Sequence, residues 1–117
     1  MIKNYKELEV WKRAKCFAIK IYYLTQNFPN DEKFGLTSQI RRCAVSIPSN
    51  IAEGKLRGGD VELKRFLLIA FGSGGELETQ LDIVKELPWG KTLELDEIEN
   101  DLQETMKMLN AFISRLS

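Results

Sequence analysis

Apolar residues recur along this chain at alternating spacings of three and four, and the rows they form predict four helices. Val10, Ala14, Phe17, Ile21, Leu24 and Phe28 make the first row. Asn4, with Glu7 three residues on, has the form of a capping box that starts this helix, and Pro29 with Asn30-Asp31 stops it after about Asn27. Trp11, Ala18, Tyr22 and Thr25 form a flanking row, wide enough for the helix to touch more than one neighbour. A second helix starts near Asp31 or Glu32, or after Gly35 with Thr37 as its cap, and runs to about Lys55; Arg57-Gly58-Gly59 is the turn behind it.

The third helix, with Asp60 as N-cap, carries the most regular row: Leu63, Leu67, Ala70, Gly74, Leu77, Leu81 and Val84. Gly72-Ser73-Gly74-Gly75 lies inside it. A glycine inside a helix costs roughly 1 kcal/mol relative to alanine, so a flexible linker between two short helices competes with one long helix. One helix is the better expectation, because the apolar register runs unbroken across the glycines and a smooth patch lets another backbone come close. Leu87-Pro88-Trp89-Gly90 ends it, and a fourth helix beginning between Leu93 and Asp96 carries Leu95, Ile98, Leu102, Met106, Leu109, Ile113 and Leu116. Four helices with short connections predict an all-α, antiparallel up-down-up-down four-helix bundle, one domain over residues 1–117.

The second helix has two stripes. Leu36, Ile40, Cys43, Ala44, Ile47 and Ile51 form a core face, while Gln39, Arg42, Ser46, Asn50 and Glu53 recur just as regularly roughly 120° away. Pro48 removes a backbone donor between them, predicting a kink or a break into two shorter helices. A buried Arg or Asn must find partners, so the second stripe is expected to be a structural network: Arg42 forking onto Glu53 or Glu76, Asn50 bonding backbone groups freed by Pro48, and Glu76 and Gln80 completing it from the third helix.

The 29% charged residues balance to zero net charge, but unevenly: residues 1–59 hold 11 Lys and Arg against 5 Asp and Glu, and residues 60–117 hold 6 against 12. Halves of +6 and −6 attract one another within one bundle, or present a basic surface to an acidic one on a second copy or to a phosphate backbone. No apolar run reaches the roughly 18 residues of a membrane span, and the N-terminus lacks a signal-peptide pattern, so the cytoplasm is the expected compartment and no membrane partner is expected. Cys16 and Cys43 form no CxxC pair and are expected to be reduced thiols packed as small apolar side chains.

Catalytic inventory is sparse. With no histidine there is no Ser-His-Asp or Cys-His apparatus and no Glu-x-x-His pair for a di-iron site. Two isolated cysteines and a few carboxylates such as Glu76, Glu78 and Asp82 do not make a metal cage. Phe71-Gly72-Ser73-Gly74-Gly75-Glu76 has neither the Lys-Ser/Thr nor the preceding strand of a phosphate loop, and Ser46 has no neutral base to activate it. No enzyme, cofactor or metal is expected.

The segments Gln39-Ile40-Arg41-Arg42, Ser46-Ile47, Asn50-Ile51-Ala52-Glu53-Gly54, and Gly72-Ser73 with Glu76-Leu77 resemble, together and across nearly the whole chain, the proteins encoded by intervening sequences in bacterial large-subunit (23S) ribosomal RNA genes. The resemblance implies a four-helix bundle and assembly into a closed homopentameric ring, but no particular activity. A related group, the accessory proteins of diversity-generating retroelements, forms basic pentameric barrels that bind nucleic acid and a reverse transcriptase; zero net charge sets this chain apart from them.

Two functions follow as expectations. One is a homo-oligomeric scaffold or interaction module, its partner being itself and RNA or an RNA-associated protein, with Gln39, Arg41, Arg42, Ser46, Asn50, Glu53, Glu76 and Gln80 as network or contact residues. The other is direct nucleic-acid binding through a basic face of the first two helices, with Lys12, Arg13, Lys15, Lys20, Lys55 and Arg57, joined by Arg41 and Arg42, as phosphate contacts.

Overall fold

A computed structural model of the protein describes residues 4–117. Four helices, α1 (Glu9–Thr25), α2 (Leu36–Arg57), α3 (Asp60–Glu86) and α4 (Asp96–Arg115), make up the fold, with no strand among the described residues. α1 packs on α2 and α4, and α3 packs on α2 and α4, which leaves α1 and α3 on one diagonal of the bundle. Every neighbouring pair runs antiparallel. Ser46 meets Ser73 and Cys43 meets Gln80 across α2 and α3; Lys85 meets Glu99 and Glu78 meets Gln103 across α3 and α4. Arg41 reaches Tyr22 and Thr25 of α1 from α2, and Lys20 of α1 reaches Glu97 and Asp101 of α4.

The apolar rows become the core. Phe17, Ile21, Ile40, Ile47, Ile51, Leu67, Leu77, Leu81, Leu102 and Leu109 are fully buried, each stabilising the fold by about 1.5–3 kcal/mol relative to exposure. The interior polar groups Thr25 and Thr105 are satisfied locally, their hydroxyls donating to the carbonyls of Ile21 and Asp101 four residues back.

Helix ends depart from the sequence reading. Asn4 and Glu7 do pair, Nδ2 to Oε1 at 3.4 Å, and Asn4 Oδ1 accepts from the Lys6 amide, but they close a 3-10 turn over Tyr5–Glu7. Leu8, in extended conformation, breaks the path before α1 begins at Glu9, and Tyr5 and Trp11 pack edge to face across the break. α1 stops at Thr25, two residues short of expectation. A second 3-10 turn, Asn30–Glu32, occupies the earlier of the two expected starts of α2; the helix begins after Gly35, the other expected start, and Glu32 accepts from the Leu36 amide at 3.2 Å, supplying the cap expected of Thr37, which is buried. Asp60 is the first residue of α3 and makes no side-chain cap; the N-cap position belongs to Gly59. Gly58 and Gly59 reverse the chain at φ of 78° and 87°, a conformation that excludes side-chain-bearing residues on steric grounds.

α2 is continuous through Pro48, so of the two expectations, a kink or a break into two helices, the break does not occur. Proline at 48 leaves the Ala44 carbonyl without its usual donor. Asn50 Nδ2 donates instead to the Ser46 carbonyl at 2.7 Å, two residues along from the one freed. α3 is continuous across all three glycines, as its register predicted. Only Gly74 of the three meets another helix, with Met106 of α4 packed against its backbone.

Candidate functional site

The stripe on α2 divides into a bonded part and an open part. Ser46 is the hub of the first: its hydroxyl lies 2.6 Å from that of Ser73 on α3 and donates to the Cys43 carbonyl, while its own carbonyl accepts from Asn50. Two turns from Ser73 on α3, Gln80, buried, donates through Nε2 to Cys43 Sγ at 3.6 Å, and its Oε1 has no partner among the described residues. Burial first, and the adjacent Glu76 carboxylate second, push the Cys43 thiol up from its ordinary value, as suits an inert packed group. Cys16, expected to be packed, is exposed.

Gln39, Arg42, Glu53 and Glu76 form the open part; all four are exposed. The expected fork from Arg42 to Glu53 or Glu76 is absent. Glu53 pairs with Arg57 one turn along α2, at 2.8 Å, a partner its own helix supplies at no cost in long-range geometry. Arg42 has no carboxylate within ion-pair distance among the described residues. Because its charge is solvated, Arg42→Ala is expected to melt within about 3 °C of the parent instead of showing the loss that follows when a buried pair is broken. Thermal unfolding followed by circular dichroism checks this, and a drop of ten degrees would restore the buried network.

The basic residues do not gather into one free surface. Lys12 pairs with Glu9, Lys20 with Asp101 at 2.7 Å and Glu97 at 3.5 Å, and Arg57 with Glu53. The bond to Asp101 raises Lys20, and that to Glu99 raises Lys85, so each of these ammonium groups is committed to α4. Arg41 donates through Nε to Thr25 Oγ1 at 2.7 Å and lies 4.6 Å from the Tyr22 ring centroid. Arg13 and Lys15 are exposed and have no ion pair among the described residues, on opposite sides of α1, and Lys55 is half-buried. Among the described residues no three His, Cys, Asp or Glu side chains are grouped so as to hold a metal ion, and no helix is long and apolar enough to cross a membrane.

What the polar reading passed over is apolar. Ile19, Tyr22 and Tyr23 on α1, Val45 and Leu56 on α2, and Val61, Leu68, Ile69 and Ile83 on α3 are all exposed. Phe34, in the connection before α2, is the one other large exposed hydrophobic among the described residues, and α4 has none. On α2 the outward residues Val45, Ser49, Ala52 and Leu56 follow four-three-four spacing, the seam spacing of a helix that packs on another. That signal stands in the sequence, but small residues mask it and the stronger inward row outweighs it.

The family model described as 23S rRNA-intervening sequence protein matches residues 6–111. No curated protein is similar enough to count as a match. The match takes in α1, α2, α3 and all but the last turn of α4, including the polar α2 stripe and the α3 glycines whose geometry is given above. The chain is a member of the 23S rRNA-intervening sequence protein family.

Proposed function

We propose that the protein is a non-catalytic, homo-oligomeric interaction module that assembles through the outer faces of α1, α2 and α3 and leaves α4 in solvent. The observation that carries this reading is the one-sidedness of the exposed hydrophobics: nine lie on the first three helices and none on α4. Scattered apolar residues are normal on a monomer, but their confinement to three helices of four indicates surface awaiting a partner. α4 fits the opposite role, its outward positions being polar residues such as Glu97, Asn100, Gln103, Glu104 and Lys107. A closed ring of five is the assembly that the family resemblance implies. Direct nucleic-acid binding has less support, since Lys12, Lys20 and Arg57 are already neutralised by carboxylates.

Light scattering coupled to gel filtration is expected to give a mass near five protomers. About 1 M salt should dissociate the assembly only modestly, because screening weakens exposed ion pairs and leaves apolar burial intact. A monomer at all concentrations would overturn the proposal.

A further inference from the structure

We infer that copies meet head-to-tail, the outer face of α3 centred on Gly72 and Gly75 seating in the groove between α1 and α2 of the next copy. This rests on the homo-oligomer proposed above and specifies which surfaces make it.

Gly72 and Gly75 have no role inside the protomer. A Cβ added at either would meet nothing within 4 Å, in contrast to Gly74, which is filled by Met106. Each nevertheless lowers helix stability by about 1 kcal/mol relative to alanine. An outward glycine gains in exchange a close approach by a second backbone. Leu68, Ile69 and Ile83, each 43–50% exposed, flank the glycines on the same helix.

The α1–α2 groove has the complementary form. It is an open, predominantly apolar trough of about 550 Å³ lined by Ala18, Ile19, Tyr22, Tyr23, Val45 and Pro48. Proline and alanine keep its floor low, and the tyrosines supply large, stiff apolar walls with few rotatable bonds.

Charge selects the pairing. Lys15 lines the groove, Arg41 lies over the Tyr22 ring that also lines it, and Arg42 is one turn from Val45. Between Ile69 and Glu86, α3 holds four carboxylates, Glu76, Glu78, Asp82 and Glu86, against Lys85 alone, which is bound to Glu99 of α4. A second α3 face would repel this one, and a second groove would repel a groove; α3 into groove brings opposite charges together. The groove lies against α1 and the glycine face on α3, helices on one diagonal of the bundle, so the contact joins unlike surfaces and leaves one of each kind free on every dimer.

Two variants, each blocking one surface, test the pairing. Gly72→Glu places a charged side chain in open space on α3, and Val45→Glu does the same at an exposed position in the groove. Each variant alone is expected to keep parental helicity and run as a single protomer. An equimolar mixture is expected to double in mass, giving in native mass spectrometry a dimer with one chain of each kind, because each supplies the surface the other lacks. Two results overturn the pairing while leaving the homo-oligomer standing: either variant assembling like the parent, or a mixture that stays monomeric at concentrations where the parent is assembled. A monomeric parent removes the homo-oligomer itself.

Discussion

Gly90→Ala is expected to destabilise the protein by about 3 kcal/mol, the upper range of overpacking effects, although alanine adds a single methyl group. Gly90 is buried in the connection between α3 and α4, where a Cβ would overlap the backbone carbonyl of Val84 and lie 2.9 Å from its Cγ1. The obstacle is backbone and cannot rotate away. The Val84 carbonyl also accepts from the Leu87 amide at 3.1 Å to finish α3, and Gly90 donates to the Leu87 carbonyl at 2.9 Å. Making room therefore opens the turn and displaces Trp89, whose ring packs 4.8 Å from Phe28 and ties this connection to the end of α1. Urea unfolding monitored by tryptophan fluorescence measures the effect; a variant as stable as the parent would show that the turn has slack.

Gly74→Leu is expected to lower stability by about 2–3 kcal/mol even though leucine is the better helix former. The first side-chain atom at 74 would fall on Met106 Sδ, the middle of a flexible side chain, so an alanine there can be accommodated by a new Met106 rotamer. Leucine adds three further carbons at a buried position on the α3 row, and Met106, itself 8% exposed, has little room to withdraw. Comparing thermal melts of Gly74→Ala and Gly74→Leu separates propensity from packing. A leucine variant more stable than the alanine variant would mean that the α3–α4 contact is loose at this level.

How much of this was legible in the sequence depends on what each signal reports. The apolar rows were reliable because a three-four spacing records burial along an entire helix, and even the α3 glycines did not disturb it. Helix ends were less so: Asn4 with Glu7 has capping chemistry, but whether the turn it closes is α or 3-10 depends on Leu8 leaving helical conformation and on Tyr5 meeting Trp11. The polar stripe shows the limit of a helical wheel. Its regular spacing brought Ser46 to Ser73 of α3, yet Asn50 bonds within its own helix and Arg42 and Glu53, on the same stripe, stay exposed, because a wheel gives direction about one axis and not the reach of the neighbouring helix. Arg57 took Glu53 first. The outward hydrophobics were illegible for a related reason: Leu68, Ile69 and Ile83 each adjoin a residue of the buried row in the sequence, and only the bundle shows that no helix covers them.

The order of helices around the bundle has a kinetic consequence. Three of its four contacts, α1 with α2, α2 with α3 and α3 with α4, join helices adjacent in the chain, and only α1 with α4 joins its two ends. Loops to be closed are short, the shortest being the two-glycine reversal at Gly58-Gly59, so the α2–α3 hairpin can nucleate with little entropy loss. Low contact order places such chains among the fast folders, forming in microseconds to milliseconds. Docking of α4 onto α1 closes the longest loop and is expected to come last, by which time the outer faces of α2 and α3 are already in place.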